Sequence, residues 1–200
     1  MANYRQRIAD YLAEQAKPQE KFGHQPRLYA LSTQVGKDQK YDDDIVYAAC
    51  WLHDLGVFEG HRPEDLEQLK RWDNTAYAMK EAPTILSRFA FPPEKIDAVV
   101  EAIRTHQPHM QPTTMEGKIL RDADILEQLG AVGILRTVCK VGRDTRFPNF
   151  TQAIASLQKA LTTLPGQLHL PTARAMAASR IEALTAFLAA VEHEAGALLY

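Results

Sequence analysis

Ala49-Cys50-Trp51-Leu52-His53-Asp54-Leu55-Gly56 carries an adjacent imidazole and carboxylate out of an apolar helix and into a glycine stop. An apolar core has no use for a His-Asp pair, whereas a divalent first-row ion takes a neutral imidazole and an ionised carboxylate as neighbouring ligands. Two ligands do not make a site, and a His-Asp dipeptide alone is equally compatible with a helix-terminal histidine beside a solvated carboxylate. The rest of the chain has to supply the difference.

Two hundred residues, 46% of them hydrophobic, are enough for one sizeable core without disulfides or a structural metal, so one domain is expected. The formal net charge of -2 and the lack of any Lys/Arg run argue against nucleic-acid polymers as partners. Both cysteines, Cys50 and Cys139, fall inside apolar helical patterns and read as buried thiols in a reducing compartment. No apolar window approaches the length of a membrane span, and the polar start Met1-Ala2-Asn3-Tyr4-Arg5-Gln6 lacks a signal-like core. A soluble, cytoplasmic protein without a membrane partner is expected.

Along the chain, apolar residues recur with helical period at Ile8, Tyr11 and Leu12 up to Lys17-Pro18. A second helix opens at Pro26, with His24 just ahead of it, and runs to Gly36. Asp42-Asp43-Asp44 complements the amino terminus of a third, Ile45 to Leu52, which is apolar nearly all round and delivers His53 and Asp54. Helical pattern continues from Asp65 to Phe89, with a break expected at Pro83. Another helix, opened by Pro92-Pro93, leads into His106. The helix Glu116 to Leu129 contains Asp122 and Asp124, which differ by about 200° around its axis at roughly 3.6 residues per turn. Leu120 shares a face with Asp124, so Asp124 is the inward carboxylate and Asp122 the outward one. Helices near Ile134 to Val141, Phe150 to Leu164 and Thr172 to Leu198 complete an all-α chain with no period-two strand pattern. Arg143 and Arg146 read as a solvated turn, and His109, His169 and His193 as surface or loop histidines.

His24, His53-Asp54 and Asp124, in this order, resemble the H…HD…D signature of the HD-domain superfamily of metal-dependent phosphohydrolases. Trp51-Leu52-His53-Asp54-Leu55-Gly56 is similar to that family's helix end. Glu116-Gly117-Lys118-Ile119-Leu120-Arg121-Asp122-Ala123-Asp124-Ile125-Leu126 is similar to its DAD-x-L helix. The resemblance covers most of the chain and implies a single-domain helical bundle. Its metal-site core would span about residues 20–145, with the C-terminal helices, about 149–198, packed on it. It implies His24, His53, Asp54 and Asp124 as metal ligands and Arg27 as a substrate-facing cation. One divalent ion, Mn, Fe, Ni, Co or Mg, is expected, because the segment Lys70–Ala76, where a second-metal histidine of the family would fall, has none. His106 falls where another such histidine would, and is assigned to substrate phosphate or a water.

Two imidazoles and two carboxylates neutralise a divalent ion and leave coordination positions open, which is the arrangement of a catalytic rather than a structural site. The acidic residue that many family members carry two or three positions after the pair is replaced by Gly56 and Val57, so the general acid or base falls to Glu59, His61 or Asp65 by proximity. Arg27, Arg62, Lys118 and Arg121 would form a cationic rim suited to a small phosphorylated substrate, with nucleotides the first expectation. Two alternatives stand beside this hydrolase: an HD-fold hydratase, lyase or oxygenase, and a non-catalytic nucleotide sensor. A homodimer is kept open as the assembly.

Overall fold

The structure, a computed structural model, describes residues 3–107, 109–142 and 147–199. Ten α-helices form among them: α1 Tyr4–Gln15, α2 His24–Val35, α3 Asp43–Leu52, α4 Leu66–Lys70, α5 Asn74–Arg88, α6 Ile96–Thr105, α7 Met115–Gln128, α8 Gly130–Val138, α9 Phe150–Thr163 and α10 Pro171–Glu194. Among the described residues no strand forms, and an isolated bridge pairs Glu59 with Arg62. None of the described helices is long and apolar enough to cross a membrane. The chain divides into two compact units, Met1–Arg121 and Asp122–Tyr200, and the boundary falls inside α7.

The first unit is built around α3. Asp42 caps it, accepting from the Asp44 N–H, and every residue from Ile45 to Leu52 is buried. With no polar face, α3 has to be covered on all sides, and α1, α2 and α6 pack against it. The acidic triplet does more than complement the helix terminus. Arg5 of α1 reaches Asp43 and Asp44 at 2.8 and 2.5 Å, and Lys95, before α6, reaches Asp42 and Asp44 at 2.8 Å each.

Pro83 does not break its helix: α5 continues through it to Arg88. Proline in a helix interior costs about 3 kcal/mol. Burial of Ala78, Ala82, Ile85 and Leu86, with α5 packed on α6, offsets that cost. In the second unit α8, α9 and α10 pack pairwise. Cys50 is buried with Sγ 3.2 Å from Ser32 Oγ, but Cys139 is exposed at the carboxyl end of α8, contrary to expectation. A short helix has only part of its circumference covered, and apolar character alone does not choose which part.

Asp122 also departs from its expected outward position. It is fully buried, and its carboxylate accepts from the backbone N–H groups of His169 and Leu170 at 2.7 to 3.0 Å, immediately before Pro171 opens α10. Leu170 has no side chain able to cap α10, so a carboxylate from a distant helix serves the terminus instead. Burial pushes the Asp122 pKa up, against the lowering effect of these hydrogen bonds.

Candidate metal centre

His53 is the C-cap of α3, still in helical conformation, and Asp54 leaves the helix at φ -104°, ψ 17°. The imidazole is 1% exposed, and its Nδ1 lies 3.0 Å from the Cys50 carbonyl. A carbonyl only accepts, so Nδ1 carries the proton in the neutral ring and Nε2 presents its lone pair. His24 is the first residue of α2, rather than preceding it, and is also buried. Its Nε2 stands 3.3 Å from that of His53, and Asp54 Oδ2 lies 3.7 and 3.5 Å from the two nitrogens.

These separations fit a cation. Ligands bound at about 2.1 Å lie roughly 3.0 to 3.5 Å apart around one ion. At 3.3 Å the two nitrogens are bridged either by a proton on His24 Nε2 or by a cation, and the carboxylate facing both makes the set suitable for a divalent ion. Asp124 lies on α7, just past the boundary of the first unit. It is half-buried, and its Oδ2 accepts from Gln128 Nε2 at 3.0 Å, one turn further along α7.

His106 repeats the design of His53. It is the C-cap of α6, buried, with Nδ1 2.5 Å from the Ile103 carbonyl, which leaves Nε2 as the acceptor. Its ring packs edge-to-face on His53, with centroids 5.1 Å apart, as the ring of His24 does at 5.3 Å.

The segment after Asp54 is pinned at several points. Lys21 donates to the Val57 carbonyl at 2.9 Å, and the Glu59 N–H donates to the Lys17 carbonyl at 3.0 Å. Trp72 Nε1 donates to the Gly56 carbonyl at 2.8 Å, and Asn74 Nδ2 donates to Asp54 Oδ1 at 3.2 Å. Gly56 is required here, because a Cβ would stand 2.7 Å from the Asn74 backbone oxygen. None of these partners was legible in the sequence. Asp73-Asn74 reads locally as a helix cap, and Asp73 does accept from the Ala76 N–H, so nothing nearby marks the Asn74 side chain.

The remaining candidates are placed as follows. His61 is half-buried, and both ring nitrogens are engaged at 2.8 Å, Nδ1 with the Tyr77 hydroxyl and Nε2 with Gln15 Oε1. Burial pushes its pKa below the ordinary histidine value. Asp65 caps α4, accepting from the Gln68 N–H, and Glu59 is exposed with Arg62 Nη2 3.7 Å away. Arg27 is exposed one turn into α2, its guanidinium lying where a Cβ on Gly23 would be 2.9 Å away. Lys118 is half-buried on α7.

Arg121 is not part of a rim. It is 1% exposed, and its Nη1 donates to the carbonyls of Gln107 and Met110, bracing the proline-rich loop after His106. Trp51 is core, packed against Phe22 and Tyr47. Arg143 and Arg146 lie outside the described residues.

Known proteins place the fold and the family. The chain is 26% identical over 179 residues to the protein YpgQ of Bacillus subtilis (strain 168), a match covering 86% of this chain and 82% of that protein. A crystal structure of B. subtilis YpgQ in complex with ADP superposes with a TM-score of 0.74 at 24% identity, covering 98% of this chain and 96% of the other. An HD-superfamily hydrolase from Bacillus thuringiensis superposes with a TM-score of 0.68 at 20% identity, covering 96% and 97%. A protein described as a predicted HD superfamily hydrolase, from an uncultured Thermotogales bacterium, does so at 0.66 and 23%, covering 96% and 93%. The HD domain family model matches residues 8–129, more than half of the chain and a span that contains the histidine pair, Asp54 and Asp124, and the protein therefore belongs to the HD domain family.

Proposed function

We propose that this protein is a divalent-metal-dependent hydrolase that cleaves a phosphoester or phosphoanhydride of a small molecule, with a nucleotide as the first candidate. The observation that carries the reading is the convergence of His24 Nε2, His53 Nε2 and Asp54 Oδ2 within 3.3 to 3.7 Å. Asp124 is the fourth ligand in this proposal, supported by its place inside the span matched by the HD domain family. Support for hydrolysis comes from family membership and from HD-superfamily hydrolases of the same fold. Support for a nucleotide comes from the ADP bound to YpgQ.

A bound divalent ion would polarise a phosphoryl oxygen and acidify a water. The protein's own residues supply the rest. Arg27 offers a planar guanidinium able to grip phosphate with two parallel hydrogen bonds, a geometry lysine lacks. His106 Nε2, beside the histidine pair, accepts a proton or orients a water, while Arg62 and Lys118 add positive charge for the substrate. For proton transfer, the surroundings favour Glu59 among the three loop candidates, because Asp65 is committed to a helix cap and both His61 nitrogens are engaged.

The test is metal analysis of protein purified without chelator, followed by a panel of nucleoside mono-, di- and triphosphates and simple phosphoesters. Phosphate or pyrophosphate release that EDTA suppresses is expected, together with loss of the ion in His53→Ala. Arg27→Lys should retain metal and lose about tenfold or more in turnover, the scale of a lost bidentate contact. Metal bound without release from any substrate would point to hydratase, lyase or oxygenase chemistry. Nucleotide binding without metal would point to a sensor.

A further inference from the structure

The two oxygens of the Asp54 carboxylate face different groups, the histidine pair on one side and a side-chain amide on the other. Oδ2 faces His24 and His53 at 3.7 and 3.5 Å, while Oδ1 accepts from the side-chain amide of Asn74 at 3.2 Å. Asn74 is the first residue of α5, and its backbone is fixed from two directions. Asp73 caps the helix that Asn74 begins, and the Trp72 indole donates to the Gly56 carbonyl, two residues beyond Asp54. The close approach of Gly56 to the Asn74 backbone, with no room for a Cβ, holds the amide beside Oδ1 rather than leaving it to swing in solvent.

Resting on the metal-site reading, we propose that Asn74 is a positioning residue. By holding Oδ1, it presents Asp54 to the ion through the single oxygen Oδ2 and keeps the carboxylate from closing on the metal with both oxygens. A carboxylate binds a divalent ion through one oxygen or two, and the second mode occupies a further coordination position. An amide donor on Oδ1 opposes that mode twice, by competing for its lone pair and by fixing the plane of the carboxylate. The coordination position kept open is the one that a catalytic ion needs for water or substrate. Outer partners of this kind typically contribute a 10- to 100-fold effect on metal affinity, by orienting the ligand before the ion arrives.

Titration of the purified full chain with Co²⁺, followed by visible absorption, tests this, because the intensity of the Co²⁺ bands reports coordination number. Asn74→Ala is expected to bind Co²⁺ about tenfold more weakly. Its bands should also weaken as Asp54 turns to bind through both oxygens. Asn74→Asp, in which an acceptor replaces the donor with the same shape, should show the same spectral change. An acidic residue is favourable in a first helical turn, so this variant keeps the start of α5 and stands in if the alanine variant fails to fold. Thermal melting of the metal-free proteins within a few degrees of wild type would separate positioning from a general loss of structure. Wild-type Co²⁺ affinity and spectrum in both folded variants would overturn the proposal, as would weakened binding in Asn74→Asp with Asn74→Ala unchanged, which indicates repulsion between carboxylates only. A wild-type protein that takes up no Co²⁺ would overturn the metal reading itself, a separate result from failure at Asn74.

Discussion

Asp122 and Asp124 show how two identical side chains, two positions apart, are put to different uses by what they meet. Asp122 is enclosed by the backbone that opens α10, and its two oxygens are occupied by N–H groups of His169 and Leu170. Asp124 is half-buried, and its carboxylate accepts from Gln128 one turn further along α7. Asp122→Asn replaces one of the two acceptor oxygens with an amide donor that faces the N–H groups of His169 and Leu170, so a stability loss of about 1–3 kcal/mol is expected with metal content unchanged. Asp124→Asn should show the reverse, near-native melting with metal affinity lost. Differential scanning calorimetry and elemental analysis of the two variants together decide it, and equal metal loss in both would contradict the assignment.

Among the elements, the decisive one is the turn that leaves α3, where the chain has to stop a helix without moving His53 and Asp54 at its end. Gly56 allows that turn to lie directly against the start of α5, so Gly56→Ala should push Asn74 and Trp72 away. Overpacking against backbone costs typically about 1–3 kcal/mol, and denaturant unfolding should show a loss in that range. Metal affinity should fall as well, since Asp54 loses its amide partner. A variant with wild-type stability would mean that the turn yields more freely than the 2.7 Å approach to the Asn74 oxygen implies. The α5 helix carries the complementary lesson: Pro83 is a valid local break signal, overridden because the apolar face on either side of it is buried.

At the scale of the whole molecule, a formal net charge of -2 conceals a strongly local arrangement. Three consecutive aspartates are held by Arg5 and Lys95 at the amino end of the central helix. Burial pushes the Asp44 carboxyl up, but hydrogen bonds from Lys95, Tyr4 and Arg5 outweigh it and leave its pKa well below the usual carboxylate range. A depressed folded-state pKa contributes stability above the unfolded value of 3.8, and that contribution is lost as pH falls through the folded pKa. Asp122 acts in the opposite sense: its raised pKa contributes stability at low pH that is lost as pH rises through the folded value. Asp44→Asn should therefore melt several degrees below wild type at neutral pH, and the gap should narrow steadily below pH 3.8, as thermal melts across that range would show. A gap that stays constant on acidification would mean that the carboxylate charge is not what matters.

The sequence by itself determined the helical class, the helix that carries His53-Asp54, and the separate segments that supply His24 and Asp124. Each of these rests on a local signal: apolar period, cap residues and a motif whose spacing survives in one dimension. The distances that bring His24 to His53 and Asp54 belong to the tertiary structure, because they join residues far apart in the chain. So do the corrections. Arg121 reads as a surface cation until the carbonyls of Gln107 and Met110 close around it, and Asp122 reads as solvated until the start of α10 arrives beside it. Asn74 carries no mark in the sequence, and it is the close approach of Gly56 that brings Asp54 within reach of its amide. In each case the deciding partner is a backbone group or side chain many residues away, and burial is a property of such partners rather than of residue type.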